Sequence, residues 1–208
     1  MAKPSKTAPT PLTVRMRRAY FDCSFGQLHV RTAFPGTGGF DELVTLFCLH
    51  AAHGSSRTFG RFLPEIADLR SVYAPDLPGC GESDPSPQST SVEAATAIFD
   101  LARDLRLKQI DLLGFQSGAT VAMELAAAHA ELVRRLVLIS TPTADKLPAL
   151  RQPALILRTR HDGPEGLPRL KAALPQAKIV EVSEYADDLF EAAPHTLAKE
   201  IGAFLART

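Results

Sequence analysis

The stretch Leu112 to Ala122, "LLGFQSGATVA", carries the residues most able to do chemistry. Two glycines, Gly114 and Gly118, flank Phe115, Gln116 and Ser117 between an apolar run and a helix-like segment. In the pattern Gly-x-Ser-x-Gly, the central serine sits on a sharp strand-to-helix turn and acts as a nucleophile. Here the central position is Gln116, and the serine follows one place later at Ser117. A primary amide donates and accepts hydrogen bonds but offers no alkoxide. Ser117 then has two readings. The turn is re-registered so that its hydroxyl attacks, or Ser117 is a small residue at a helix start that bonds to backbone. The glycines favour the second, because a slip of one residue would put Gly118 beside the nucleophile.

The elements that must position this turn follow from hydrophobic pattern. Apolar runs "LVTLFCL", "SVYAPD", "IDLLGF", "RLVLIS", "ALILRT" and "KIVEVS" alternate with helix-period segments. Most are apolar throughout, as expected of parallel strands covered on both faces. Between them, "SVEAATAIFDLARDL" puts Ile98, Leu101, Ala102 and Leu105 on one face, with Thr90 and Glu93 as a capping-box signal. Another helix is expected directly after the glycine-flanked turn. A third, "PHTLAKEIGAFL", opens on Pro194, favoured in a first helical turn. The leading segment "RRAYFDCSFGQLHVRTAF" reads as an antiparallel hairpin turning near Phe25 to Gln27. The expected fold class is α/β, a doubly wound, mostly parallel sheet with helices on both faces and an N-terminal antiparallel hairpin. A flexible tail over residues 1–14 and one domain over 15–208 complete the expected organisation.

Bulk properties narrow the functions. The chain has 208 residues, 23 basic and 23 acidic, for a formal net charge of zero. Balanced charge gives no reason to expect a nucleic acid or a membrane surface as partner. No apolar run approaches the ~20 residues that cross a bilayer. The basic, proline-rich N-terminus lacks the apolar core of a secretory signal. Three cysteines, Cys23, Cys48 and Cys80, are far apart and lack metal-ligand spacing, so neither metal nor cofactor is expected. An odd, unclustered set fits a reducing cytoplasm. Cys80, in a glycine-rich loop, is the one cysteine in a setting compatible with reactivity.

Three stretches in order, "LHAAHGSSRTFGRFLPEIA", "APDLPGCGESD" and "LLGFQSGATVAMELA", resemble the α/β-hydrolase fold family, from Arg18 to the end of the chain. The resemblance implies an oxyanion hole built from the amides of Ala52 and Ser117, with His50, Ala51, His53 and Phe115 near the ligand. Fixed N–H dipoles there would face developing negative charge. It also implies a histidine shortly before "LFEAAP", where this chain has Ala186 or Asp187, and an acid after "ALILRT", where Asp162 stands. Asp162 is open to two roles, turn cap or pocket residue. His195, inside the last helix, and His161 are expected at the surface. The stretch "TPTADKLPALRQ" leaves no room for the helical cap found in many relatives, so the pocket is expected to be open unless a second copy of the chain covers it. The resulting expectation is a capless, catalytically degenerate member, a pseudoenzyme binding a small carbonyl or carboxylate ligand. The alternatives are an ester hydrolase using Ser117 or a water held by Gln116, with Asp162, Asp187 or His53 assisting, and a protein-interaction module.

Overall fold

The computed structural model describes residues 13–36, 43–140, 150–159, 162–163, 166–182 and 188–206. Two strands, β1 (Arg15–Cys23) and β2 (Gly26–Phe34), form the hairpin the sequence predicts, with Cys23 opposite Gly26 at its turn. The parallel strands are β3 (Leu46–Leu49), β4 (Val72–Pro75), β5 (Ile110–Phe115), β6 (Val133–Ile139), β7 (Ala154–Arg158) and β8 (Lys178–Glu181). They join the hairpin in one eight-stranded sheet of order β1-β2-β4-β3-β5-β6-β7-β8, in which β2 meets β4 antiparallel. This is the mostly parallel α/β sheet with an antiparallel N-terminal hairpin read from the sequence.

The six helices of the described residues are α1 (Phe62–Ile66), α2 (Ser91–Asp104), α3 (Ser117–Ala128), α4 (Gly166–Ala173), α5 (Leu189–Ala192) and α6 (Pro194–Leu205). Side chains alternate across each strand; both faces of the central strands β3, β5 and β7 are buried, whereas the edge strands β1 and β8 are exposed or half-buried. Ile110 and Leu112 of β5 point into one core with Ile98 and Leu101 of α2 and Val121 and Leu125 of α3. Leu113 and Phe115 point into the other, with Phe62 and Leu63 of α1 and Leu197 and Ile201 of α6. The capping box at the start of α2 forms as read, with Glu93 N–H donating to Thr90 Oγ1 at 3.2 Å. Sequence reading missed α1, α4 and α5, which are too short to display a helical period. The connection from which a missing cap was expected includes residues 141–149, outside the described residues.

One charged cluster pins the sheet at the end away from the glycine-flanked turn. Asp111, fully buried at the start of β5, accepts from Arg134 Nε and Nη2 at 3.0 and 2.7 Å and from Arg70 Nη1 at 3.1 Å. Arg134 also donates to the Leu205 carbonyl at 2.7 Å, tying the end of α6 to β6. A carboxylate buried at zero exposure survives only when its charge is met this way.

Candidate functional site: a serine beside a glutamine elbow

Phe115 ends β5 buried, its ring edge-on to Phe190 of α5 with centroids 5.3 Å apart. The chain then turns at Gln116, whose φ of 50° and ψ of −118° lie where side chains are disfavoured. A Cβ on Gly114 would stand 2.5 Å from Ala119 Cα, and one on Gly118 would collide with the carbonyls of Leu49 and His50. Both glycines are therefore required by the close approach of α3 to β5 and β3. The apex of the turn is Gln116, and its side chain is exposed. Ser117 follows as the first residue of α3, half-buried.

Residues after β3 form the facing loop. Gly54 N–H closes a tight turn on the Ala51 carbonyl at 3.0 Å, and His53, exposed at φ 60°, forms its bend. Ala52 N–H points back across the sheet and donates to Ser117 Oγ at 2.5 Å. The amide expected as one arm of an oxyanion hole thus meets the side chain of the residue expected to supply the other arm. Ser117 N–H, in the first turn of α3, has no partner within the helix.

His50, expected beside the ligand, has its ring buried in the interior. Its Nε2 accepts from Leu77 N–H at 2.9 Å, so Nδ1 carries the proton and donates to the Ala51 carbonyl at 2.7 Å. Burial pushes the imidazole below its ordinary pKa, outweighing the Ala51 carbonyl and the Asp76 charge. Both nitrogens are spent holding the loop after β3 to the loop after β4.

That second loop wraps around Asp76, a residue the sequence reading did not single out. Its carboxylate accepts from Ser56 N–H at 2.6 Å and Glu82 N–H at 3.0 Å, and pairs with His29 Nδ1 at 2.9 Å. Burial alone would raise its pKa, but these donors together hold it below the usual carboxylate value. Gly79 and Gly81 take φ of 74° and 56°, and a Cβ at Gly81 would strike the Asp76 carboxylate. Ser83 donates to the Asp76 carbonyl at 2.7 Å and accepts from His29 N–H at 2.9 Å. The signal for Asp76 was present as an aspartate at a strand end before a glycine-rich loop.

Asp162 forms a turn cap in the structure. Its Oδ2 accepts from Thr159 N–H at 2.6 Å and Thr159 Oγ1 at 3.3 Å, closing the turn after β7. His195 lies on the exposed surface of α6, with Nδ1 2.9 Å from Glu65 Oε2. Ala186, Asp187 and His161 lie outside the described residues. Among the described residues, Ser117 Oγ has no hydrogen bond to a histidine or carboxylate.

A cavity of about 230 Å³ opens beside Ser117, on the side of α2. Ala52, Cys80, Ser117 and Thr120 line it with the hydroxyl residues Ser89, Thr90 and Ser91. Leu77, Ala94 and Val121 supply an apolar floor. Among the described residues, neither Gln116 nor a charged side chain lines it. A larger hollow of about 530 Å³ lies between the β1–β2 turn and the end of α2, far from the elbow. Its central carboxylate, Asp100, is already engaged by Ser24 N–H at 2.8 Å and Arg103 at 3.1 Å, so it offers no comparable site. No group of three metal-ligating side chains occurs among the described residues, and no helix there is long and apolar enough to cross a membrane.

Comparison with known proteins agrees with this fold. A pyrrolizixenacetamide deacetylase from Xenorhabdus hominickii is 34% identical over 96 residues, 45% of this chain and 36% of that protein. A 2-hydroxymuconate semialdehyde hydrolase from Pseudomonas sp. (strain CF600) is 38% identical over 84 residues, 38% of this chain and 29% of that protein. The match thus spans about a third of each relative's length. The crystal structure of wild-type Cfl2 from Burkholderia cenocepacia superposes with a TM-score of 0.80 at 17% identity, covering 93% of this chain and 97% of that one. The profile of the Alpha/beta hydrolase family matches residues 46–207, and with a sheet, an elbow and flanking glycines in the corresponding order, the chain belongs to the alpha/beta hydrolase family.

Proposed function

We propose that this protein binds a small carbonyl or carboxylate compound at the elbow and does not cleave esters with an elbow nucleophile. The observation that carries the reading is Gln116 at the strained apex, φ 50°, with Gly114 and Gly118 holding the register. A carboxamide there cannot attack a carbonyl, because its nitrogen lone pair is delocalised. Ser117 adds a second support. Its oxygen already accepts from Ala52 N–H, and no described base is bonded to it, whereas nucleophilic serine needs a base within about 2.6–3.2 Å. The relatives named above as a deacetylase and a hydrolase favour a ligand bearing a carbonyl group.

One observation favours the hydrolase alternative: Ser117 lines the cavity. Hydrolysis of p-nitrophenyl acetate by the wild type and by Ser117→Ala separates the two. Background rates from both proteins, together with a rise in thermal midpoint on adding small carbonyl or carboxylate compounds, are expected. Turnover that collapses in Ser117→Ala would overturn the binding reading.

A further inference from the structure

We infer that the free edge of β1 pairs antiparallel with the same edge of a second copy of this chain, joining two eight-stranded sheets across a two-fold axis at Tyr20. This surface is separate from the cavity, so the inference stands apart from the binding reading. β1 ends the sheet order, and its nine residues pair with β2 in an unbroken register from Arg15–Phe34 to Cys23–Gly26. Native sheets keep their edges single with short strands, bulges, prolines or charge. The opposite edge, β8, is four residues long. β1 has neither proline nor bulge, and its one such device is the charge of Arg15, Arg17 and Arg18. The outward backbone groups follow from β2. Gln27 N–H donates to Asp84 Oδ2 at 2.8 Å, and its carbonyl accepts from Asp84 N–H at 2.9 Å. His29 N–H donates to Ser83 Oγ at 2.9 Å, and its carbonyl accepts from Asp76 N–H at 2.8 Å. Both residues thus turn their backbone away from β1. Asp22 and Tyr20, opposite Gln27 and His29, therefore direct their own N–H and C=O to the free edge, and Arg18 joins them by alternation. Among the described residues, no backbone group beyond the hairpin bonds to these three.

Charge selects both the partner and the register. Narrow antiparallel pairs form only between residues whose backbone points outward on both strands. With Tyr20 opposite Tyr20, Arg18 of each copy faces Asp22 of the other, and Ala19 faces Phe21. With Arg18 on the axis, like charges meet, which is destabilising. With Ala19 on the axis, Arg18 meets Tyr20 and Asp22 meets Met16, and neither charge gains a counter-charge. Within one copy, Arg18 stands opposite Arg31 of β2, whose Nε is buried without a partner. Asp22 of the second copy supplies the carboxylate that this pair of guanidiniums lacks among the described residues. Asp22 is exposed and gives one oxygen to Gln27 Nε2 at 3.1 Å, leaving the other for Arg18. Tyr20 is 54% exposed, its ring resting on His29 at 5.4 Å between centroids, and offers its remaining surface to its own copy. The two-fold axis makes every one of these contacts twice.

Sedimentation equilibrium of the full chain over a concentration series, at low and high salt, tests this. The wild type is expected to show a monomer–dimer equilibrium that weakens as salt rises. Arg18→Asp and Asp22→Arg each set like charges against each other in both cross-strand pairs. Each should raise the dimer Kd at least about tenfold, since the change acts twice. Arg18→Asp/Asp22→Arg exchanges the charges and should bring dimerisation back close to the wild-type Kd. An equimolar mixture of the two single variants should also dimerise, although neither does alone, because every mixed pair then carries opposite charges. That rescue also shows that the single variants are folded. A wild type that stays monomeric throughout overturns the inference. So does a dimer that both single variants retain, which would lie on another surface. Loss in the single variants with no rescue in the double variant or the mixture puts the axis elsewhere than Tyr20, and the inference fails with it.

Discussion

Leu77 N–H donates to His50 Nε2 at 2.9 Å, and through that bond the loop after β3 is tied to the loop after β4. Both loops line the cavity, one through Ala52 and the other through Leu77 and Cys80. The imidazole is therefore a strut beneath the site. Replacing it with Phe leaves a buried N–H without an acceptor, a loss of about 1–3 kcal/mol. Urea denaturation of His50→Phe at neutral pH should show a lowered midpoint with an unchanged slope.

The same strut makes stability depend on pH. His50 is held neutral by burial, so its folded pKa lies below the ordinary imidazole value of ~6.5. Between those two values the unfolded chain binds a proton that the folded chain refuses. Stability therefore rises with pH through that window and is lost as pH falls below ~6.5. His50→Gln keeps an acceptor but no titrating nitrogen. Its denaturation midpoint should change less between pH 7 and pH 5.5 than that of the wild type, and an identical slope would show that another group governs the loss.

At the elbow, strain at Gln116 is a measurable quantity. Residues with side chains at such dihedrals lose about 1–3 kcal/mol, whereas glycine is at ease there. Gln116→Gly should raise the thermal midpoint, with a net gain of about 1 kcal/mol after glycine's extra unfolded-state entropy. Gln116→Val, with a branched Cβ, should lower it. Opposite signs for the two variants are the signature of a strained apex.

The neighbouring glycine tests the register in the other direction. Any Cβ at Gly118 would meet the carbonyls of Leu49 and His50, which are backbone and cannot swing aside. Gly118→Ala should therefore cost at least the upper end of the about 1–3 kcal/mol typical of overpacking. Near-native unfolding of this variant, measured by circular dichroism, would place the apex elsewhere.

At the far end of the sheet, Asp111 separates buried from exposed charge. Asp111→Asn leaves Arg70 and Arg134 facing a neutral amide in the interior, with an expected loss of about 3–5 kcal/mol. The Arg61–Glu191 pair, at 2.8 Å but with both side chains largely exposed, should contribute under about 1 kcal/mol. Chemical denaturation of Asp111→Asn beside Arg61→Ala should return losses differing several-fold.

The chain by itself determined the sheet, the hairpin, the helices long enough to display a period, and an elbow with Gln116 where a nucleophile would stand. These follow from signals within a few residues of each other: short continuous apolar runs for the buried strands, a period of 3.6 along helices, and glycines at fixed offsets. It left open whether Ser117 and Asp162 face a pocket or the backbone, and placed His50 beside a ligand. Only the tertiary structure shows which groups these side chains meet. Ser117 meets Ala52 across 65 positions of sequence, and His50 meets Leu77 across 27. Asp162 gives its carboxylate to Thr159, three residues away, through a turn whose geometry depends on where β7 ends. A side chain's type states what it can donate or accept. Which group takes up that capacity is settled when packing brings chain-distant amides within hydrogen-bond reach, and no local pattern encodes that choice.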